Sequence, residues 1–259
     1  MIDIHSHILP GIDDGAQSIE DSLEMARIAV LEGIHKIIAT PHHMNGKYEN
    51  RKQDIIHRVA ELNEVLTAEA IPLEILPGQE TRIYGEILKD YELEEIITLN
   101  DGEKYLFIEL PSAHVPRYTE QLLSDIQFER LTPIIVHPER NQELIENPDL
   151  LYKFVNNGTL TQVTASSVSG AFGKNIQKFA MQLIESNLTH FISSDAHNIT
   201  SRSFKMNEAF DVIEKKFSVD YVDLFLDNAE LLVAGKTVYK EVPDKIKKKK
   251  YWGFFNVRG

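Results

Sequence analysis

Short apolar runs alternate with longer stretches of helical periodicity along this whole chain. Runs of a few residues rich in isoleucine, valine, leucine and phenylalanine read as buried strands. Apolar positions three and four apart read as helices packed on one face. The first strand is Ile2 to His5, and a helix follows over Ile19–Leu31. Ser18 and Asp21 have the spacing of a capping pair, and Gly33 suits the C-terminal end of that helix. A second strand spans His35 to Thr40, then a long helix covers Asn50 to Glu69 with Ile55, Val59, Leu62 and Leu66 on its apolar face. A third strand, Leu73 to Leu76, precedes a short helix near Tyr84 to Lys89. The turn signal Asn100-Asp101-Gly102 introduces a fourth strand, Tyr105 to Leu110, and a helix over Thr119–Glu129. The fifth strand is Pro133 to Val136, and its helix runs from Gln142 to Asn156, with Gly158 marking the end. The sixth strand is Leu160 to Thr164, followed by a helix over Lys174–Ser186. The seventh is His190 to Ser193, and two or more helices lie between Arg202 and Val233.

Strand–helix alternation of this kind predicts an α/β fold with a parallel sheet. At 259 residues the expected closure is a TIM-like barrel, a (β/α)7 arrangement of seven strands. An open doubly wound sheet is the alternative. It would place a glycine-rich phosphate loop after the first strand, and Ile8-Leu9-Pro10-Gly11-Ile12 fits that poorly. With no internal repeat or linker visible, residues 1–240 are expected to form one domain and 241–259 a tail.

Composition, at 42% hydrophobic and 26% charged, is that of a soluble globular protein. A net charge of −13 disfavours general affinity for nucleic acid or an anionic membrane. The exception is Lys245-Ile246-Lys247-Lys248-Lys249-Lys250, followed by Tyr251-Trp252 and Phe254-Phe255. It reads as a solvated tail; a contact with an acidic partner or membrane surface, or packing back onto the domain, are the other readings. No apolar run approaches the roughly 18 residues of a membrane span, and no leader-like segment opens the chain. The chain has no cysteine. That suits a reducing compartment, so the expected location is the cytoplasm. It also excludes a cysteine-thiolate nucleophile.

Candidate chemistry sits where the strands end. In a barrel these ends converge on one face. His5 and His7 close the first strand, two apart and so on one side of it. His42, with His43 as its neighbour and rival, follows the second, and Glu80 follows the third. Glu109 ends the fourth and His137 the fifth, while Asp195 and His197 follow the seventh. The sixth, ending Gln162-Val163-Thr164, lacks an obvious ligand. Asp13-Asp14-Gly15 is either a tight turn or a further source of ligands. His35, His57, His114 and His190 occupy no comparable strand end and read as structural or exposed. The set is too large for one tetrahedral ion, so two or three metals are expected. Mixed imidazole and carboxylate donors suit Mn²⁺, Fe or Zn²⁺. Metals about 4 Å apart serve hydrolysis, phosphate esters above all. Arg140 and Arg202, just beyond two of these strand ends, suit a phosphoryl group, a guanidinium offering two parallel hydrogen bonds. A surface salt bridge is the alternative for either.

Taken together, His5-x-His7, Thr40-Pro41-His42, Glu80, Glu109, His137-Pro138-Glu139-Arg140 and Asp195-Ala196-His197 resemble the polymerase and histidinol phosphatase superfamily over about residues 1–205. The stretch from Asp3 to Gly15 closely resembles the opening of the CpsB/CapC/YwqE group, manganese-dependent tyrosine-protein phosphatases of Gram-positive bacteria. The resemblance implies a distorted barrel with a two- or three-metal site. It implies phosphotyrosine hydrolysis on bacterial tyrosine kinases and their targets, linked to capsule and exopolysaccharide synthesis. It implies His5, His7, Asp14, His42, Glu80, Glu109, His137, Asp195 and His197 as metal ligands, with Arg140 and Arg202 on the phosphate. Many superfamily members carry histidine near position 14, and some at the position of Glu109. Carboxylates here shift the site towards harder oxygen ligation, consistent with manganese, and leave open whether a third metal is held. A hydroxide bridging two metals is then expected to attack phosphorus in line. The phenol of tyrosine, pKa about 10, leaves without a strong general acid; His43 is a candidate proton donor. Rival readings are a small-molecule phosphatase acting on, for example, histidinol phosphate, hydrolysis of a non-phosphate bond, and a non-catalytic metal-binding module.

Overall fold

A computed structural model describes residues 1–247, so Lys248 onwards, with the aromatic part of the expected tail, lies outside the described residues. In chain order the strands are β1 (Ile2–Ser6), β2 (Lys36–Ala39), β3 (His42–His43), β4 (Glu74–Pro77), β5 (Glu80–Arg82), β6 (Tyr105–Glu109), β7 (Thr132–Val136), β8 (Leu160–Thr164) and β9 (Phe191–Ser193). Pairing is parallel throughout: β1-β2-β4 form one sheet and β3-β5-β6-β7-β8-β9 another. Hydrogen bonding therefore gives nine strands among the described residues, not seven. The extra two arise by interruption. Thr40-Pro41 separates β2 from β3, and Pro41 has no N–H for the ladder. Gly78-Gln79 separates β4 from β5, where Gly78 passes so close to β2 that a Cβ would lie 2.6 Å from Ile38 Cγ2. Through these two joints the ladder passes from one sheet to the next. At the other side, Asp195 N–H donates to the His5 carbonyl (2.9 Å) and His7 N–H to the Ala196 carbonyl (2.8 Å).

The helices are α1 (Ile19–Leu31), α2 (Lys52–Ala68), α3 (Ile87–Glu92), α4 (Thr119–Phe128), α5 (Gln142–Glu146), α6 (Pro148–Asn156), α7 (Ala165–Ser169), α8 (Lys174–Glu185), α9 (Met206–Lys216) and α10 (Val219–Val233). The N-terminus of α1 is the expected capping box: Asp21 N–H donates to the Ser18 hydroxyl and Ser18 N–H to the Asp21 carboxylate. On α2 the buried residues are Ile55, Val59, Leu62 and Leu66, as the spacing predicts. The helix expected over 142–156 is two, because Pro148 cannot donate to the preceding turn and holds Asn147 at ψ 72°. The helix expected over 84–89 lies instead at Ile87–Glu92.

Side-chain alternation along the strands divides the core. On β6, Leu106 and Ile108 join the cluster built with α1, α2, α4 and α8, while Tyr105 and Phe107 join a second cluster with Ala229 and Leu232 of α10. Glu109 falls on the Tyr105 and Phe107 side of this alternation, at the strand end. Burying a leucine- or phenylalanine-sized side chain stabilises by roughly 1.5–3 kcal/mol. A core of this size can therefore hold charged groups together at the strand ends. The start of the expected tail also packs inward: Asp244 N–H donates to the Ser186 carbonyl (2.9 Å), and Ile246 lies against the core.

Candidate metal centre

The first strand ends in two imidazoles aimed at one space. The Nε2 atoms of His5 and His7 are 3.4 Å apart. Their other ring nitrogens are tethered: His5 Nδ1 to Gln162 Oε1 of β8 (2.9 Å) and His7 Nδ1 to Asp13 Oδ2 (2.7 Å). Such tethers fix the ring and leave Nε2 with a lone pair to offer a cation. The Asp13 carboxylate is itself held, by the N–H groups of Gly15 (2.8 Å) and His42 (3.2 Å). Only glycine fits at 15, since a Cβ there would lie 2.0 Å from the His7 carbonyl oxygen.

Glu80, fully buried, is the hub. Its Oε1 is 2.7 Å from His137 Nε2. Its Oε2 is 2.8 Å from His42 Nδ1, 3.3 Å from His7 Nε2 and 3.5 Å from His5 Nε2. Neither Glu80 Oε2 nor His42 Nδ1 makes an aligned hydrogen bond, despite their separation. Glu109 Oε2 and His197 Nε2, also buried, are likewise unpartnered. Unpaired buried polar atoms are costly, and a set of nitrogen and oxygen donors converging on one point is what a cation satisfies. Three overlapping groups offer donor atoms within 4.8 Å of one another: His7, Asp14, His42 and His197; His5, His7 and Glu80; His42, Glu80 and Glu109. Asp195 Oδ1 approaches His5 and His7 Nε2 at 3.4 and 3.3 Å. The structure thus gathers the nine residues expected as ligands around one centre. The nitrogen and oxygen donors, none of them sulfur, fit Mn²⁺, Fe or Zn²⁺.

Two of the nine hold left-handed backbone conformations that non-glycine residues seldom adopt: His137 at φ 35° and Asp195 at φ 51°. His137 follows directly on β7, and Asp195 lies two residues beyond the end of β9. Such strain clusters at functional sites.

Two arginines lean on the same carboxylate. Arg140 Nη1 lies 2.8 Å from Asp195 Oδ2, and Arg202 Nη2 lies 3.3 Å from it. Arg202 also reaches Asp14 Oδ2 at 3.5 Å. Asn198 shapes the loop that presents it, its Oδ1 accepting from the N–H groups of Thr200 and Arg202. Arg140 and Arg202 line a cavity of about 490 Å³ together with His42, Glu109 and His137, within the usual size of a small-molecule site.

The electrostatics are those of a crowded acid–base cluster. Burial opposes charge on His42, but Glu80 and Asp14 outweigh it and push its pKa up to about 10. Burial, then the charge of Arg140, brings His137 down to about 4. Burial and the neighbouring His7 do the same to His197, at about 4. Burial and repulsion from Glu80 raise Glu109 to about 7. Asp195 stays well below the usual carboxylate range because Arg140 and His5 overcome its burial.

Three supporting residues escaped the sequence reading as such: Asp13 and Gln162, which orient His7 and His5, and Arg82. Arg82 Nη2 holds Glu109 Oε1 at 2.9 Å and leaves Oε2 facing His42. His43 stands outside the cluster, buried with its ring 6.5 Å from Tyr84, and it does not line the cavity shared by His42, Glu109 and Arg140. At the surface His35 lies against Glu230 and His57 against Glu61, His114 is exposed, and buried His190 accepts from Thr161 N–H through Nδ1.

Comparison with known proteins places these residues in a family context. A family model described as capsular polysaccharide synthesis, CpsB/CapC, matches residues 1–234. The chain is 49% identical over 255 residues to tyrosine-protein phosphatase YwqE of Bacillus subtilis, covering 98% of this chain and 100% of that protein. It is 32% identical over 244 residues to tyrosine-protein phosphatase CpsB of Streptococcus pneumoniae, covering 92% and 100%. Solved structures of YwqE from Bacillus subtilis and CpsB from Streptococcus pneumoniae, described as unique metal-dependent tyrosine phosphatases, include a chain matching this one. That match has a TM-score of 0.93 at 49% identity and covers 96% of this chain and 100% of the other.

Proposed function

The chain belongs to the CpsB/CapC capsular polysaccharide synthesis family, and from that premise we propose that it is a metal-dependent tyrosine-protein phosphatase working at the centre around Glu80. The observation that carries this reading is the position of Glu80 Oε2 among three imidazole nitrogens, beside a cavity that two arginines also line. His5, His7, Asp14, His42, Glu80, Glu109, His137, Asp195 and His197 would hold two or three ions, Mn²⁺ before Fe or Zn²⁺ given the share of carboxylates. Bound there, the metal supplies a water of lowered pKa and neutralises charge on the phosphoryl oxygens.

The remaining work falls to the chain's own groups. Gln162 and Asp13 keep His5 and His7 in the tautomer that presents Nε2. Arg140, pinned to Asp195, offers its guanidinium to the phosphoryl group as the ester bond to the phenol breaks, and Arg202 closes on the same group from its loop. Both donors are oriented before substrate arrives, which makes them effective at stabilising developing charge. The phenolate needs no strongly acidic partner, consistent with His43 lying aside.

Phosphotyrosine proteins are the substrates, a bacterial tyrosine kinase and its targets among them, and the cytoplasm is where the enzyme would meet them. Among the described residues no helix is long and apolar enough to cross a membrane. We also read residues 1–240 as one phosphatase domain whose two sheets act as a distorted barrel. The contacts of His5 and His7 with Asp195 and Ala196 support that reading. The test is a Mn²⁺-supplemented assay on phosphotyrosine peptide, phosphoserine peptide and histidinol phosphate. Phosphotyrosine should give the highest kcat/KM; a clear preference for histidinol phosphate would overturn the assignment.

A further inference from the structure

The cavity beside the ligand cluster is not polar all round. Phe172 and Ile176 form part of its wall, with Leu110, Val136 and Pro138. Phe172 lies in the short connection between α7 and α8, between Gly170 (φ 93°) and Gly173 (φ 94°). Glycine adopts such angles without strain, so the chain can turn twice within four residues and set a half-buried aromatic side chain at the cavity. The Phe172 ring lies 5.8 Å from the guanidinium carbon of Arg140. An aromatic ring thus adjoins a group that would hold the phosphoryl oxygens. In an aryl phosphate the ring is one bridging oxygen from phosphorus. A serine phosphate has only a methylene there.

We infer that Phe172, with Ile176, forms the subsite that packs against the phenol ring, so that this wall, rather than the metal centre, selects aryl over alkyl phosphates. The inference rests on the phosphatase reading and adds to it the residues that set its specificity. Phe172 could instead act only through Arg140, by packing on the guanidinium face, and the two roles separate by experiment.

The measurement is calorimetric binding of phenylphosphonate and methylphosphonate to the Mn²⁺-loaded full chain, in wild type, Phe172→Ala, Phe172→Tyr and Ile176→Ala. These probes carry no scissile ester, so leaving-group chemistry does not enter. Wild type should prefer the phenyl compound. Phe172→Ala should cut that preference about tenfold, the scale of a lost aromatic pair. Phe172→Tyr should restore it, and Ile176→Ala should lower it less. An equal loss for both phosphonates in Phe172→Ala would overturn the inference, since Phe172 would then serve Arg140 alone. An unchanged preference would overturn it too. If neither phosphonate bound wild type, the phosphatase reading itself would fall, and the inference with it.

Discussion

Asp13→Asn should weaken metal binding without unfolding the chain. Asparagine has the size of aspartate but only one acceptor oxygen and no charge. In the structure one carboxylate oxygen accepts from His7 Nδ1 (2.7 Å) and the His42 N–H (3.2 Å), and the other from the Gly15 N–H (2.8 Å). An amide serves one of these sides with its oxygen and turns an NH₂ towards a donor on the other. His7 loses a charged partner that fixes its tautomer and raises the basicity of Nε2. Removing a partner of this kind lowers metal affinity about 10–100-fold, or roughly 1.4–2.7 kcal/mol. That agrees with the ~1.5–3 kcal/mol of a hydrogen bond to a charged group. The assay is the Mn²⁺ dissociation constant by calorimetry on chelator-stripped protein, with circular dichroism to follow the fold. Phosphatase activity should fall at limiting Mn²⁺ and recover at saturation. A dissociation constant within about twofold of wild type, with the fold intact, would refute the reasoning.

Arg140→Lys should lower kcat/KM for a phosphotyrosine peptide by about 10²–10³, since a point charge replaces a fork already aimed at the phosphoryl group; steady-state kinetics showing less than a threefold change would contradict that role. Gly15→Ala should lower the melting temperature by more than a typical surface substitution, because a Cβ 2.0 Å from the His7 carbonyl oxygen forces backbone to move; an unchanged melting curve would show that the 13–15 turn yields freely. His42, at about 10, is protonated at pH 7 in the metal-free chain, so Mn²⁺ must displace that proton and bind more tightly as pH rises. Calorimetry in buffers of different ionisation enthalpy reads the release directly. Its raised pKa also stabilises the metal-free fold fully below about 6.5, a contribution lost as pH climbs towards about 10.

Much of the centre was legible in the sequence because its parts carry local signals. A histidine or carboxylate that ends an apolar run, as at Glu109 or His137, stands out from the pattern, and α1 shows its own start at Ser18 and Asp21. What stayed hidden depends on partners distant in the chain. Gln162 carries no local signal, and its part in the centre comes from its tie to His5, 157 residues away. Arg82 matters only because β5 and β6 pair, bringing it to Glu109. The strand count changed beyond Pro41 and Gly78, because β3 (His42–His43) and β5 (Glu80–Arg82) are short and polar and carry no apolar strand pattern. Pro148 is the counter-example, a break visible in sequence that helical periodicity on either side overrode.

The central claim is that the cluster around Glu80 holds the metal that makes this chain a tyrosine phosphatase. The direct test measures metal content and phosphotyrosine hydrolysis on one sample, before chelation, after it, and after Mn²⁺ is restored, in wild type and in His137→Ala. The account predicts two or three ions per wild-type chain, activity lost and regained with them, and neither full occupancy nor near-wild-type activity in His137→Ala. Full activity in chelated protein, or a His137→Ala chain with wild-type metal content and turnover, would contradict it.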